Sequence, residues 1–414
     1  MFKKLLLLFL AALMLPHEAS ALIIDKDLGE VIVTVEGNKR TKPLYIESLV
    51  RRCLEKGGYK TWETVDGNAL GQCIRNTKLF ESIEVQVDKP VIHVKVSDRW
   101  TLIPIPSIYA SNGKRSGGAT VFESNFLGIG KTVGIGGSIS TEGNTFNLMY
   151  FDPSIAFSDF TFNVMAFRSS TELRAYDRTT TLYGYDRVQK RFFLSPGYRV
   201  TPFVSLSVSA GYADNTYSQL ESFSVPGDYT AWTIGAKAAY HDSDYKLFYN
   251  DGFSANISWD KQVRRSDSDE HTATTTAGFE WDKLLFEKHA LQLGLRGATQ
   301  SDLHEGEVAM YGRSRGYRGI QPGGLWTRRI VAASVDYQIP VAKWGHGTVT
   351  VAPFADYGVY RPYFEGTGNN YASYGIGAYY FINLINLPGI GLTAGVNENF
   401  MGTFVAFQIG MGFN

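Results

Sequence analysis

Most of the chain repeats one pattern, in which apolar residues alternate with small or polar ones over short segments. In 204–211, Val204, Leu206 and Val208 are separated by serines, and 253–260 follow the same rule. Because successive side chains of a β-strand point to opposite faces, each segment predicts a strand with one apolar and one polar face. An aromatic content of 14% and 43 glycines suit many short strands joined by tight turns. The fold class is therefore predicted to be mainly β.

The polar face of these segments consists largely of Ser, Gly, Asn and Asp, as a water-filled barrel interior requires. A soluble sandwich would also alternate, but lipid allows no open sheet edge, which favours closure of so many strands into a barrel. We count sixteen segments in residues 101–414 and predict a 16-stranded antiparallel transmembrane β-barrel. The short connection Ser195-Pro196-Gly197 is expected to be a periplasmic turn, and the even strand number places both barrel ends on that side.

The N-terminus has the features of an export signal. Lys3 and Lys4 precede an apolar run over 5–15, and Ala19-Ser20-Ala21 follows. A charged start, a short apolar core and a small-x-small site are typical of a secretory signal peptide, so residues 1–21 are predicted to be removed. A membrane-spanning helix is the alternative, but such a helix needs about 20 apolar residues.

Residues 22–100 follow a different pattern, which predicts a small α+β domain. Its two cysteines, Cys53 and Cys73, fall one on each predicted helix. They could form a disulfide in an oxidising compartment, and two separate buried thiols are the alternative. The predicted order is strand, helix, helix, strand, strand, near 31–36, 43–56, 67–76, 83–87 and 92–96.

Three motifs of this domain carry a resemblance to a known module. They are Val33-x-Val35-x-Gly37-Asn38, Leu79-Phe80-x-x-Ile83-x-Val85 and Val94-x-Val96. Together they resemble a POTRA domain, the polypeptide-transport-associated module. The resemblance implies a single periplasmic POTRA domain in front of the barrel, and some other small α+β domain is the alternative.

An expected external loop contains the segment 312–319, Gly-Arg-Ser-Arg-Gly-Tyr-Arg-Gly. Within it, Arg315-Gly316-Tyr317 resembles the Arg-Gly-aromatic signature of the BamA/TamA superfamily of outer-membrane assembly and translocation barrels. Downstream, Phe354-Ala355-Asp356-Tyr357-Gly358 is similar to the Phe-x-Asp-x-Gly strand motif of that superfamily. The alternative for the loop is an ordinary polar surface loop with three arginines.

The resemblance implies that this loop folds into the barrel. Parity along the strands places Asp356 and Asp336 on the inner face. A guanidinium in the lumen needs carboxylates, and its planar fork suits bidentate pairing. By the resemblance, Arg315 is expected to pair with Asp356, with Asp336 nearby, while Gly316 allows a tight turn and Tyr317 packs on the inner wall.

The first barrel strand contains Pro104 and Pro106, which lack amide donors on the same edge. If that edge faces the last strand, which carries Phe413, the closing ladder loses two hydrogen bonds of about 1 kcal/mol each. Such a weak seam would suit lateral opening. Alternatively, the prolines simply begin the strand at the rim.

No catalytic or nucleic-acid-binding pattern stands out. Net charge is zero without a basic block, and the seven histidines show no metal-ligand spacing. No nucleophile motif or catalytic carboxylate pair is found, so we expect neither an enzyme nor a cofactor.

The predicted function is therefore insertion, assembly or translocation of other polypeptides at the lateral seam. Expected partners are unfolded or exported polypeptide clients and outer-membrane lipid, with periplasmic chaperones or accessory lipoproteins as candidate helpers. A dedicated two-partner secretion pore is one alternative, although only Leu22 to Glu30 precede the front domain, where a plug helix would be expected. A passive porin or a surface-binding barrel is another.

Overall fold

The structure of the chain is a computed structural model. It divides into two compact units, Met1–Asp98 and Arg99–Asn414. The predicted signal peptide 1–21 and Phe413 lie outside the described residues. Those residues are 22–111, 114–141, 143–177, 180–220, 223–266, 271–286, 288–301, 309–311, 315–320, 325–363, 369–382, 384, 389–400 and 402–409.

The first unit is a four-stranded sheet with two α-helices. The strands lie in the order β1-β2-β4-β3, with β2 parallel to β4 and the other pairs antiparallel. The predicted order of elements is confirmed, and β1 is an additional strand that the sequence pattern did not indicate. The elements are β1 (Leu22–Asp25), β2 (Gly29–Glu36), α1 (Pro43–Gly57), α2 (Gly67–Arg75), β3 (Phe80–Asp88) and β4 (Val91–Asp98).

The helix boundaries have local causes. Pro43 occupies the first turn of α1, where its missing N–H is not needed, and Gly58 ends the helix in the left-handed region at φ 61°. Asp66 caps α2, because its carboxylate accepts a hydrogen bond from the Asn68 amide at 2.8 Å. Neither helix is long and apolar enough to cross a membrane, as far as the described residues extend.

The apolar faces of the helices and of the sheet form the core of this unit. Cys53 and Cys73 form a disulfide between α1 and α2, with Cα atoms 5.8 Å apart. The bridge joins the helices covalently beside a core that is shielded from water. The fully or nearly fully buried residues of that core include Val31, Ile46, Val50, Leu54, Leu70, Ile74, Ile92 and Val94.

Asp98, the last residue of β4, organises the loop that follows β2. Its carboxylate accepts hydrogen bonds from the amides of Lys39, Arg40 and Thr41 at 2.6, 2.7 and 3.3 Å and from the Thr41 hydroxyl at 2.5 Å. Gly37 begins the loop at φ 82°, and a Cβ there would lie 2.2 Å from the Val96 carbonyl oxygen. Burial raises the pKa of Asp98, but the hydrogen bonds lower it further, so the pKa lies below its ordinary value.

We expect Asp98→Ala to lower the free energy of unfolding of the front unit by about 2 kcal/mol at neutral pH. Because the folded pKa of Asp98 is depressed, its contribution is present above the pKa of the unfolded chain, about 3.9, and disappears as pH falls through the lower folded value. Proteolysis of the front unit of the full-length protein in increasing urea, at pH 7 and at pH 3, measures both effects.

Asp88→Ala is the matched control, because the Asp88 side chain at the end of β3 is 73% exposed. Equal stability of the Asp98→Ala and Asp88→Ala proteins at pH 7 would contradict the role of Asp98.

The second unit is a closed antiparallel barrel, in which β21 lies next to β5. Sixteen strands, β5–β15 and β17–β21, form the wall, and the predicted 16-stranded barrel is confirmed. The short β16 pairs with β17. The strands are β5 (Leu102–Ser111), β6 (Lys114–Phe126), β7 (Lys131–Ser140), β8 (Gly143–Asp152), β9 (Phe160–Asp177), β10 (Thr180–Arg199), β11 (Val204–Gln219), β12 (Tyr229–Tyr245), β13 (Asn250–Arg265), β14 (Ala273–Leu285), β15 (His289–Ser301), β16 (Ala309–Tyr311), β17 (Leu325–Trp344), β18 (Gly347–Pro362), β19 (Asn370–Ile382), β20 (Ile390–Asn397) and β21 (Gly402–Ile409).

The two faces of the wall differ as the alternation predicts. Outward apolar side chains are exposed, for example Val208 at 59% and Ile257 at 53%, whereas inward polar side chains such as Gln338 and Thr350 are buried. An apolar exterior around a polar interior is the arrangement that a lipid bilayer requires. We call the end where β5 begins the near end and the opposite end the far end.

The expected turn at Ser195-Pro196-Gly197 is wrong, because these residues lie within β10. The chain turns later, between Arg199 and Val204. Pro196 pairs with Phe162 on β9, but the register between β10 and β11 passes from Leu194 to Gly197. A proline without an N–H interrupts one ladder without ending the strand, so a Pro-Gly pair was a misleading turn signal here.

Candidate functional site

One arginine is clamped by two carboxylates inside the barrel. The Arg318 guanidinium donates to Asp356 from Nε at 2.8 Å and from Nη2 at 2.6 Å. It also donates to Asp336 from Nη1 at 2.7 Å and from Nη2 at 3.1 Å. Its Cζ lies 3.7 Å from the ring centroid of Phe354, which adds a cation–π contact. All three charged side chains are at least 96% buried.

Arg315 is held differently from the prediction. It pairs with Asp336 through Nε at 2.9 Å, and the expected pairing with Asp356 is wrong. Asp336 on β17 lies between β15 and β18, and Arg315 passes over Gly294 on β15. Arg315 therefore approaches the wall from the β15 side and meets Asp336 first. Asp356, one strand further, is taken by Arg318.

The arrangement arises because the Arg-Gly pair occurs twice, three residues apart. Gly316 and Gly319 both have positive φ, 84° and 75°. A Cβ on Gly319 would lie 2.6 Å from the Asn397 Cβ and 2.7 Å from the Phe404 ring, so only glycine fits there. The second pair, Arg318-Gly319, was the signal in the sequence that could have identified the clamped arginine.

Tyr317 packs on the inner wall, in a buried cluster close to the clamp. The cluster holds the loop by apolar contact, and the Tyr371 hydroxyl adds a hydrogen bond to the Gly316 carbonyl at 2.5 Å. Its members are Tyr317, Ile320, Leu325, Ile330, Ala332, Tyr360, Tyr371 and Phe400.

The clamped loop 315–320 contacts the last strands of the barrel. The Asn397 side-chain amide at the end of β20 donates to the Arg318 carbonyl at 3.1 Å. Gly319 lies against Phe404 of β21, the strand that closes the barrel against β5. The loop is therefore connected to β17, β18, β20 and β21, which places it beside the closing seam.

The predicted seam residues Pro104 and Pro106 lie inside β5, opposite Val121 and Ala119 of β6. They stand near the beginning of the strand, which starts at Leu102. The weakening of the seam by these prolines stays a prediction.

A second feature, which the sequence reasoning missed, is an aromatic cluster at the far end. Trp326 on β17 contacts Tyr183 and Tyr185 on β10, with ring centroids 5.7 and 5.5 Å apart, although five wall strands separate β10 from β17. Arg265 covers the Tyr229 ring at 4.0 Å. The buried members are Ala175, Tyr183, Tyr185, Tyr217, Tyr229, Ala231 and Trp326, which we call the far-end cap.

Strand length explains the cap. Strands β9–β13 have 16–20 residues, whereas crossing the bilayer takes about 9–11. The excess extends beyond the membrane, where inward side chains can meet across the barrel. Tyrosines on the otherwise polar face of an overlong strand were the available signal.

The described part of the chain contains no group of three or more His, Cys, Asp or Glu that could hold a metal ion. The buried charges of the site are instead two arginines and two aspartates that neutralise one another. This arrangement holds a loop in place.

A closed barrel with an apolar exterior and a loop clamped inside defines a membrane-embedded β-barrel with a structured interior. The chain belongs to the Omp85 superfamily, whose domain model matches residues 125–396, more than half of the chain. The predicted relation to the BamA/TamA superfamily is thereby confirmed. Members of this family are outer-membrane barrels that assemble or transport other proteins.

Solved structures share the fold at low sequence identity. BamA from Haemophilus ducreyi lacking POTRA domains 1–3 matches with a TM-score of 0.56 and 17% identity over 91% of this chain and 82% of that one. CdiB from Acinetobacter baumannii matches with 0.54 and 11% over 91% and 72%. CdiB from Escherichia coli matches with 0.54 and 12% over 91% and 73%. No curated protein matches the chain at a significant level of sequence similarity.

Proposed function

We propose that the protein inserts, assembles or translocates other polypeptides by templating their strands at the seam between β21 and β5. The observation that carries this proposal is the clamped loop 315–320, whose Arg318 carbonyl and Gly319 contact Asn397 of β20 and Phe404 of β21. A rigid interior loop supports the inner face of the closing strands while their edges exchange partners. No chemical step is required, because strand pairing and burial of apolar faces in lipid supply the driving force.

The front unit fits the role of a single POTRA domain that receives clients in the periplasm. Strand β3 is an edge strand, because β4 is its sheet partner and no strand follows it in the order. An extended client segment can add to the edge at Ser82–Val87 through backbone hydrogen bonds. Unfolded or exported polypeptides are therefore the proposed partners, with periplasmic chaperones or accessory lipoproteins delivering them.

A dedicated two-partner secretion pore is the second candidate, and the fold shared with two CdiB barrels favours it. A passive porin receives less support. The far-end cap and the clamped loop place buried aromatic and charged side chains across the lumen, where a diffusion pore needs open water.

The proposal is tested by comparing the outer-membrane proteome of cells with and without the gene. We expect one or a few β-barrel or exported proteins to decrease severalfold, and expression of the intact chain to restore them. An unchanged proteome together with altered ion permeability would contradict an assembly role and favour a passive pore.

A further inference from the structure

The near-end turn between β12 and β13 folds into the mouth of the barrel. Lys246 donates its amide to the Tyr249 carbonyl at 3.0 Å, and the Phe248 amide donates to the Lys246 carbonyl at 2.9 Å. Leu247 adopts φ 70°, which for a non-glycine residue costs about 1–3 kcal/mol. A strained backbone of this kind persists when surrounding contacts compensate for it.

Those contacts come from the far side of the mouth. Leu247 and Phe248 pack against Ala352 of β18 and Tyr379 and Phe381 of β19, which we call the seat. The Phe248 and Phe381 ring centroids are 6.2 Å apart. Strands β14, β15, β17 and β18 separate β13 from β19, so the turn reaches across the lumen rather than along the wall.

The seat is an apolar site in a polar wall. Its three side chains are at least 95% buried, whereas the neighbouring inward residues of the same wall are polar, among them Gln338, Thr348, Thr350 and Thr393. The Tyr379 hydroxyl lies 3.0 Å from the Thr393 hydroxyl, which fixes the ring under Phe248. An apolar contact of this kind keeps water out of the mouth.

The turn is also anchored beside the domain boundary. Tyr245, which precedes it, forms a hydrogen bond with Arg99. Arg99 is 94% buried and is the first residue of the barrel unit.

We propose that residues 245–250 form a latch that closes the near-end mouth of the lumen, with the Phe248 side chain in the seat as its closing contact. The latch is an autoinhibitory contact, because the lumen admits a bulky molecule from the near end only when Phe248 leaves the seat. This inference goes beyond the proposed function and does not depend on what the barrel transports.

The test measures access to a lumen cysteine in the full-length protein in lipid nanodiscs. The two native cysteines form a disulfide, so Ser258→Cys on the inner wall provides a single free thiol. Its rate of reaction with a bulky, membrane-impermeant maleimide reports opening. We expect Leu247→Ser with Phe248→Ser to raise the rate about tenfold or more, because the rate follows the population of the open mouth.

Phe286→Ser is the matched control, since Phe286 stands in the next near-end turn, also has positive φ and is 80% exposed. Phe248→Leu keeps an apolar side chain in the seat and should label nearly as slowly as the parent. Each protein is first shown to be a folded barrel by its heat-dependent migration in gels. Labelling of the Leu247→Ser/Phe248→Ser protein at the parent rate, or an equal rise in Phe286→Ser, would overturn the latch.

Discussion

Replacing Arg318 by alanine is expected to lower the free energy of unfolding of the barrel by about 3–5 kcal/mol, because it leaves buried carboxylates without their cation. Asp356 is 3% exposed and takes three hydrogen bonds from Arg318, two from the guanidinium and one from the backbone amide. Arg315 remains beside Asp336 in the variant, so Asp356 is the group left uncompensated. Urea unfolding of the detergent-solubilised protein, followed by gel migration, measures the loss.

The same substitution should release the loop 315–320 from the wall. Cleavage at its basic and aromatic residues by added protease should become severalfold faster, and assembly of clients should fall even in protein that is correctly inserted. A loop that no longer rests on Asn397 and Phe404 cannot support β20 and β21 from within.

Two comparisons make this prediction specific. Arg315→Ala should cost less, since Asp336 keeps two hydrogen bonds from Arg318. Adding Asp356→Asn to Arg318→Ala should recover part of the stability, because a neutral amide needs no counter-charge. Arg318→Lys should recover little, since an ammonium group cannot bind both carboxylates in bidentate fashion. A larger loss in Arg315→Ala than in Arg318→Ala would reverse the assignment of the two arginines.

Replacing Trp326 by alanine should have the second-largest effect, by opening the far end. Trp326 is 4% exposed and joins β17 to Tyr183 and Tyr185 of β10. Truncating a buried tryptophan costs about 3–5 kcal/mol, and here the cost falls on contacts that link opposite walls. Once these contacts are lost, β10 and β17 can separate beyond the membrane, and we expect the single-channel conductance in planar bilayers to rise severalfold.

Trp344→Ala is the control for that measurement. Trp344 lies at the other end of the same strand, is 55% exposed and packs against Tyr380 on the outer face. Its removal should leave the conductance unchanged. If Trp326→Ala and Trp344→Ala conduct like the parent, the far-end cap does not limit passage through the lumen.

The near-end latch and the far-end cap act independently, because they involve different strands and different residues. The labelling experiment compares variants with the same far-end cap, and the conductance experiment compares variants with the same latch. Each closure can therefore fail without affecting the result for the other.

Local pattern alone determined the framework of this protein. Alternation with a period of two identified sixteen wall strands and their lipid-facing sides, since that period follows from backbone geometry at each residue. Pro43 and Gly58 marked the ends of α1 for equally local reasons. Parity also placed Asp336 and Asp356 in the lumen, where the structure has them.

Only the tertiary structure decided which groups meet. Arg318 rather than Arg315 takes Asp356 because the turns at Gly316 and Gly319 aim the two guanidinium groups at different strands. The contact of Phe248 with Phe381 and that of Trp326 with Tyr183 join residues more than 100 positions apart in the chain. Such contacts depend on the circumference and tilt of the closed barrel, and no local alternation encodes them.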